Sequence, residues 1–414
     1  MADNAATAEV LGKVQPGSGS PMANAPAMPL DFGCTTTDRI EDVEAIWRRF
    51  SAAGVLSPGQ DYDFVKLWVS ARGVSPADQL YIVGSLDGTP LALLPLHRTA
   101  RGGIRVLSWF PGTHVGCNAP LVDQARLAAL SAVRQAEFWR RLFGSLRGAD
   151  LVYLRAVPLG PDQVFAALGD QTQVEILYRS QFDNWEACNG TQRSKSRRKH
   201  DRQQGEKLDA LGRVSFGTIE PGDPSAPMVL ETMFRQRAAR FAEMGIKDPF
   251  AASDVLRFYQ QTVQPGSGVA IKLHVLRLDE DIVAVRYNVV FGEKLFCLIS
   301  SMSVDPKIQG GSPGKQCLLR VMQSVFDEGF RTFDMGAGFT DEKRHWCNVQ
   351  IELAHYYFPL SLRGRVVVAG HRFWQSSRAR IKADPRLAKL AKAIRARLQR
   401  TPPKSVAASD EPSD

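Results

Sequence analysis

The sequence predicts an α+β protein in which two similar units follow one another. Each half of the chain shows the pattern strand, strand, strand, helix, strand. The turns also correspond, because Leu86-Asp87-Gly88 matches Leu278-Asp279-Glu280, and Gly148 matches Gly329 after each unit's helix. A repeated order of elements with matching turns indicates a duplicated fold. The alternative, two unrelated stretches that resemble each other by chance, remains open at this stage.

The elements of the first half follow from residue spacing. Thr37 or Asp38 begins a helix with apolar residues at intervals of three and four. Asp87-Gly88 favours a tight turn, which predicts a hairpin over 81–96. We expect further strands over 104–110 and 151–154, separated by one long helix over 125–146.

The second half repeats this order. A hairpin is predicted over 274–290, a strand over 294–300, a helix over 315–328 and a last strand over 332–335. Gly329 ends the helix, as glycine commonly does. Two helices, near 227–244 and 253–263, precede the hairpin.

Composition limits the possible classes of protein. The chain has 414 residues with 44% hydrophobic and 23% charged side chains, which is typical of soluble proteins of two or three domains. No run of about 18 apolar residues predicts a membrane span. The six cysteines contain no C-x-x-C pair, so we expect reduced thiols and a cytoplasmic location. The predicted segments are a disordered leader over 1–34, domains over 35–180 and 181–365, and a basic helical tail over 366–414.

Positive charge is concentrated near the C-terminus. Residues 363–404 hold 13 Lys and Arg against one Asp, whereas the whole chain has a net charge of +9. The rest of the chain is therefore slightly acidic, which argues against a protein coated with nucleic acid. The segment 191–213 carries eight further Lys and Arg, and we expect a solvated helix surface or a phosphate-binding segment there.

The first candidate site is a glycine-rich turn between a strand and a helix. Pro313 is suited to a first helical position, and the free N–H groups of a helix start bind anions. The turn is not a Walker A loop, because its spacing is short and Gln316 replaces the required Ser or Thr. An ordinary glycine-rich turn is the equally simple alternative. The predicted cofactor-binding residues, suited to the pyrophosphate of a carrier such as coenzyme A, are Gln309, Gly310, Gly311, Ser312, Gly314 and Lys315.

The second candidate site follows the last strand of the second half. Asp334 ends that strand beside Gly336 and Gly338, where a carboxylate can meet a ligand or cap a turn. Histidine side chains can titrate near neutral pH, so His345 is a candidate for proton transfer, although a lone histidine is more often structural. No H-x-x-x-H or G-x-S-x-G spacing occurs, so we expect neither a metal nor a serine hydrolase site.

Three stretches resemble the CelD-like branch, named for cellulose biosynthesis, of the Gcn5-related N-acetyltransferase (GNAT) superfamily. They are the run 182–199 with its S-x-x-x-R-R pattern, Ser312-Pro313-Gly314-Lys315, and the run from Gly329 to Asp334 followed by Gly338, Lys343 and Trp346. The likeness covers roughly 35–365 and is weak in the first half. Two departures are visible: the Q/R-x-x-G-x-G/A loop is not matched cleanly after Gln309, and Thr340 to Glu342 replaces an aromatic residue.

This resemblance implies tandem GNAT-like domains, each a mixed, mostly antiparallel sheet flanked by helices. It implies transfer of an acetyl or other acyl group from acyl-CoA to an amine or hydroxyl of a small molecule or saccharide, with a role in exopolysaccharide or cell-envelope biosynthesis. Asp334 or His345 would accept the proton, and Lys343 and Trp346 would line the acceptor site. The duplication also resembles the Fem-type transferases, which implies aminoacyl-tRNA as an alternative substrate.

A non-catalytic role is the third possibility. In that case the chain is a scaffold at an envelope or polysaccharide assembly site, and its amphipathic basic tail lies on anionic lipid. Packing of the tail against the chain's own body is the simpler alternative.

Overall fold

The computed structural model describes residues 31–160, 164, 165, 168, 171–245, 248 and 250–383. The strands in this part of the chain are β1 (Phe32–Thr37), β2 (Gln79–Leu86), β3 (Thr89–Arg101), β4 (Ile104–Trp109), β5 (Leu121–Val122), β6 (Leu151–Pro158), β7 (Gln171–Gln181), β8 (Val214–Ile219), β9 (Ile271–Leu278), β10 (Asp281–Phe291), β11 (Lys294–Met302), β12 (Thr332–Ala337) and β13 (Val349–Pro359). The α-helices are α1 (Glu44–Ser51), α2 (Tyr62–Ala71), α3 (Gln124–Ala128), α4 (Ala132–Ser145), α5 (Trp185–Gln192), α6 (Lys195–Asp209), α7 (Ala226–Glu243), α8 (Ser253–Thr262), α9 (Pro306–Gln309), α10 (Pro313–Asp327), α11 (Asp341–Trp346) and α12 (Leu362–Ala383).

The strands form one mixed sheet in which the two halves mirror each other. Its order is β1-β2-β3-β4-β6-β13-β7-β12-β11-β10-β9-β8, and β5 joins β3 at the side. The pairs β4–β6 and β11–β12 are parallel, and the other pairs are antiparallel. The predicted α+β class with two similar, mostly antiparallel units is therefore confirmed.

Identical turn chemistry supports the duplication. Asp87 and Asp279 both have a φ of 50°, which is uncommon for a residue with a Cβ atom. The backbone N–H of Asp87 donates to the carbonyl of Asp31, and Asp31 N–H donates back to Asp87 Oδ1. Asp279 and Arg213 exchange the same two bonds. Each aspartate thus joins a hairpin turn to the residue before its half's edge strand.

The central strands are exchanged between the halves. β7 follows β6 in the sequence but pairs with β12 of the second half, and β13 follows β12 but pairs with β6 of the first. β7 and β13 also pair with each other. The halves therefore share a continuous backbone ladder rather than a surface contact.

A shared apolar core forms where α2 of the first half packs against α8 of the second half. Phe258 of α8 lies 5.0 Å from Phe64 and 4.9 Å from Trp68 of α2, measured between ring centroids. The loop after β4 adds His114, which lies between the rings of Trp68 and Phe250. Aromatic contacts of this geometry add to the gain from burial.

Several sequence predictions need correction. The helix predicted over 125–146 is two helices, because Ser131 begins α4 by accepting the N–H of Arg134. β1 begins at Phe32, inside the segment predicted as a leader, and residues 1–30 lie outside the described part. The domain boundaries over 35–180, 181–365 and 366–414 stay a prediction. Among the described helices, none combines the length and apolar character needed to cross a membrane.

Candidate functional site

The candidate site lies where two parallel strands separate. β11 and β12 pair over Lys294–Thr332, Leu295–Phe333 and Phe296–Asp334, and both strands continue beyond the last of these pairs. Past that point Cys297 to Ser300 and Met335 to Ala337 line a cavity of about 370 Å³. The divergence of the strands therefore opens the sheet to a ligand.

This cavity takes residues from both halves, and we call it the interdomain cavity. The first half contributes the loop 112–116 and Arg155, while the second contributes Arg237, Arg286 and Lys343. Gly116 allows the close approach of the loop, because a Cβ atom there would lie 2.9 Å from Leu177 and 3.1 Å from Gly336. A side chain at Gly116 would push the halves apart at this point.

A second cavity, of about 470 Å³, lies at the start of α10, and we call it the helix cavity. Four residues predicted to bind a carrier line it: Gln309, Ser312, Gly314 and Lys315. Both cavities are lined by Arg237, Arg286, Ser300, Thr340 and Glu342. They are therefore neighbouring parts of one groove.

The turn before α10 differs from the predicted amide cradle. The N–H groups of Gly311 and Ser312 donate to the carbonyls of Ile308 and Gln309, so both are already engaged. Gly310 is exposed and Gly311 packs on Leu208, and neither lines the helix cavity. In the described part of the chain, the N–H of Gly314 has no hydrogen-bond partner.

Ser312 explains the imperfect motif. Its φ of 48° and ψ of 62° place it in the left-handed region that favours glycine. Counting from Gln309, Ser312 and Gly314 stand at the two glycine positions of the Q/R-x-x-G-x-G/A pattern. The Oγ of Ser312 accepts a hydrogen bond from Gln204 Nε2 at 2.8 Å, which anchors a serine in a backbone conformation typical of glycine.

Asp334 lies beneath the interdomain cavity rather than on its surface. It is 3% exposed, and its Oδ2 lies 2.7 Å from Nε of Arg179, its direct partner on β7. The N–H of Gly336 donates to its Oδ1. Asp334 therefore fixes the end of β12 against β7.

The residues of α11 separate into two groups. Lys343 lines the interdomain cavity, donates to the carbonyls of Gly336 and Ala337, and has its pKa lowered by burial. Trp346 is buried against Trp185 and Arg193, and His345 Nδ1 contacts the Asp341 carbonyl. Neither Trp346 nor His345 lines either cavity.

Sequence reasoning missed the cations that surround the groove. Arg155, Arg237, Arg240 and Arg286 come from β6, α7 and β10, and no motif spacing connects them. The one visible signal was Arg286, a lone charge in the otherwise uncharged run 282–291. A buried arginine in a central strand needs a partner, and a ligand is one such partner.

The basic segment after β7 is only partly available for binding. Arg193 and Arg197 both pair with buried Asp201, at 2.7 and 3.3 Å, so these two arginines stabilise the start of α6. The tail is helical through Ala383 in α12, while the apolar face predicted at Leu387, Leu390, Ile394 and Leu398 lies outside the described residues.

Comparison with known proteins finds a family match in the second half of the chain. Residues 195–344 match the family model described as an acetyltransferase (GNAT) domain, which covers the helix cavity and most of the second half. No curated protein matches the chain by sequence. Residues 195–344 are thus similar to a GNAT acetyltransferase domain, and the CelD-like branch stays a prediction.

Three solved structures are similar to this chain in backbone structure at low sequence identity. FemX is 12% identical with a TM-score of 0.48, covering 72% of this chain and 96% of its own. A conserved Bacteroides thetaiotaomicron protein of unknown function is 10% identical with a TM-score of 0.46, covering 78% and 99%. A tandem GNAT protein from the clavulanic acid biosynthesis pathway is 12% identical with a TM-score of 0.40, covering 80% and 99%.

Proposed function

We propose that this chain is an acyltransferase that uses acetyl-CoA or another acyl-CoA as co-substrate. The observation that carries the proposal is the groove between the diverging β11 and β12, in which a cation-rich helix cavity adjoins an interdomain cavity. An acyl-CoA would fit this groove with its phosphates in the cation-rich helix cavity and its narrow acyl arm reaching the interdomain cavity. The acceptor, an amine or a hydroxyl, then enters from the interdomain side.

The helix cavity supplies the groups that a phosphorylated carrier needs. Among the described residues, Arg240, Arg286, Lys315 and Arg237, which also pairs with Asp248, line it together with one carboxylate, Glu342. The free N–H of Gly314 stands at the start of a 15-residue helix, where backbone dipoles favour an anion. The main phosphate-binding groups are therefore Lys and Arg side chains, rather than the backbone N–H groups that the sequence predicted.

A bulge in β11 supplies a candidate donor for the acyl carbonyl. Cys297 pairs with Asn288 and Ile299 pairs with Tyr287, so Leu298 has no partner in the β10 register. Leu298 also lies past the last pair with β12 and lines the interdomain cavity. A strand amide held in this position can polarise a thioester carbonyl as negative charge develops on its oxygen.

Glu342 is the carboxylate best placed to accept the proton of the nucleophile. It is half-buried in the first turn of α11 and lines both cavities, so it lies at their junction. The catalytic roles of Asp334 and His345 and the acceptor contact of Trp346 stay predictions, whereas Lys343 is on the cavity wall. Asp334 acts here as a positioning residue for β12.

Acetyl-CoA binding tests the carrier site directly. Replacing Lys315 by Gln should raise the dissociation constant about fivefold, because one partly solvated charge-assisted contact contributes about 1 kcal/mol. Titration calorimetry at fixed salt measures this change. Lys207→Gln on the exposed face of α6 is the matched control and should bind as the wild type does. Absence of acetyl-CoA binding at millimolar concentration would remove the proposed function.

Turnover tests the proton acceptor. Glu342→Gln should reduce kcat about a hundredfold without weakening acetyl-CoA binding, because general base catalysis typically contributes at least that much and the change removes a negative charge from the carrier cavity. The measurement is CoA release with a pool of small amines and alcohols. The exposed neighbour Asp341→Asn serves as control. An equal loss in His345→Gln, with Glu342→Gln active, would assign the proton to His345.

The acceptor's pathway is a finer proposal. A small-molecule or saccharide acceptor in exopolysaccharide or envelope biosynthesis follows from the CelD-like resemblance. The aminoacyl-tRNA alternative loses support because Arg193 and Arg197 are committed to Asp201. If it is correct, tRNA should bind with an affinity that falls steeply as salt rises.

A further inference from the structure

We propose that the interdomain cavity selects an acceptor that carries an anionic group, a carboxylate or a phosphate, beside its nucleophile. This inference rests on the proposed function, because it names the substrate class of the same groove. It is carried by two arginines, one from each half, that line the cavity and form no ion pair with any carboxylate in the described part of the chain.

Arg286 is the first of these groups. It lies in the middle of β10, is 8% exposed, and lines the interdomain cavity. Its Nη1 contacts Cys297 Sγ at 3.7 Å, and in the described part of the chain it forms no ion pair. Burial of a cation without an ion-pair partner is unfavourable, so an anionic group that reaches the cavity gains a strong partner.

Arg155 is the second group and comes from the other half. It is half-buried in the middle of β6, and its side chain makes no hydrogen bond or ion pair within the described residues. Arginine forks bind carboxylate and phosphate in a bidentate manner. The first half therefore contributes directly to substrate choice, although Tyr153 stands where the second half has Asp334.

The cavity's own carboxylates form no direct ion pair with these arginines among the described residues, although Glu342 acts on Arg286 at longer range. Glu175 and Glu342 line the same space, yet neither comes within ion-pair distance of Arg155 or Arg286. The other cations are already engaged, since Arg237 pairs with Asp248 and Lys343 binds backbone carbonyls. The cavity of about 370 Å³ therefore has both positive and negative side chains on its wall. It suits a small acceptor whose acidic group meets the arginines and whose nucleophile, such as an amine, meets a carboxylate.

A chemical probe tests this inference without a known acceptor. Cys297 is half-buried on the cavity wall, and Cys34 is half-buried on β1, far along the sheet order. The probe compares alkylation by iodoacetate, an anion, with alkylation by neutral iodoacetamide, read peptide by peptide by mass spectrometry. The rate ratio cancels differences in thiol reactivity. We expect the iodoacetate-to-iodoacetamide ratio to be at least about fivefold higher at Cys297 than at Cys34.

Variants and competitors make the result specific. Arg155→Gln should lower the ratio at Cys297 about threefold and leave acetyl-CoA affinity intact, because Arg155 lines only the interdomain cavity. The exposed Arg140→Gln is the control. Protection of Cys297 by malonate more than by inorganic phosphate, at equal ionic strength, would assign a carboxylate, and the reverse order would assign a phosphate.

The outcomes separate this inference from the proposed function. Equal ratios at the two cysteines, an unchanged ratio in Arg155→Gln, or protection by neither anion would overturn the anionic acceptor. Failure of acetyl-CoA to bind while the ratio at Cys297 stays high would remove the acyltransferase and leave the anion site standing.

Discussion

Lowering the pH from 7 to 5 should destabilise the folded chain by about 4 kcal/mol, which is a large part of the stability of a typical domain. Burial lowers the pKa of three histidines, His114, His274 and His355, to about 4 from the ordinary 6.5. The neutral forms are therefore favoured by folding. Their contribution is complete above pH 6.5 and is lost as the pH falls towards 4.

The hydrogen bonds of two histidines agree with that direction. His355 Nδ1 accepts the N–H of Ala156 at 3.0 Å, and His274 Nδ1 lies 2.9 Å from Asn288 Nδ2. A proton on either Nδ1 would set a donor against a donor. His114 Nδ1 is buried between aromatic rings without a partner among the described residues, so a charge there would not be solvated.

The magnitude follows from linkage. The contribution of each histidine to the free energy of unfolding should fall by about 2 kcal/mol between pH 7 and pH 5. Asp61 opposes them, because burial raises its pKa to about 6 and its protonation stabilises the fold by about 1 kcal/mol over the same range. Carboxylates with lowered pKa, such as Asp254, matter mainly at lower pH.

Urea unfolding at pH 7, 6 and 5 measures this effect. His355→Gln keeps an acceptor for the Ala156 N–H and should remove about 2 kcal/mol of the pH dependence. The exposed His200→Gln should leave the pH dependence as it is in the wild type. A urea midpoint that is the same at pH 7 and 5 would contradict the prediction.

Much of the fold could be predicted from the sequence because its signals are local. Asp87 and Asp279 mark their hairpins through turn chemistry, and alternation of apolar residues marks the strands that follow. β1 was missed because Phe32–Thr37 is an edge strand with a half-exposed pattern that looks like part of the Pro- and Ser-rich leader. The exchange of β7 and β13 has no local signal, because a sequence pattern that predicts a strand does not predict its neighbour in the sheet.

The candidate site shows the same division. Gln309, Ser312, Gly314 and Lys315 were predicted together since they form one turn, and all four line the helix cavity. Arg155 and Arg286 are 131 positions apart, and only the tertiary structure places both of them on the wall of the interdomain cavity. A property that depends on tertiary placement leaves no spacing pattern for sequence reasoning to find.

Replacing Asp334 by Asn should destabilise the fold by about 3–5 kcal/mol, because it leaves the Arg179 guanidinium buried without its counter-charge. Both side chains are nearly inaccessible, at 6% and 4% exposed, so solvent does not screen the pair. Arg179 also donates to the carbonyl of Leu56, which ties the exchanged strand β7 to the first half. The loss should therefore weaken the joint between the halves as well as the end of β12.

A double variant separates loss of a pair from loss of catalysis. Arg179→Met with Asp334→Leu removes both charges and should recover most of the stability lost in Asp334→Asn, because two apolar side chains no longer bury an unpaired ion. The exposed pair Arg331–Asp183 has the same chemistry, and Asp183→Asn should change the urea midpoint little. Recovered stability with CoA release retained would make Asp334 a positioning residue only. Recovered stability with CoA release abolished would show that the carboxylate takes part in the chemistry, and an Asp334→Asn chain as stable as the wild type would refute the buried ion pair as a source of stability.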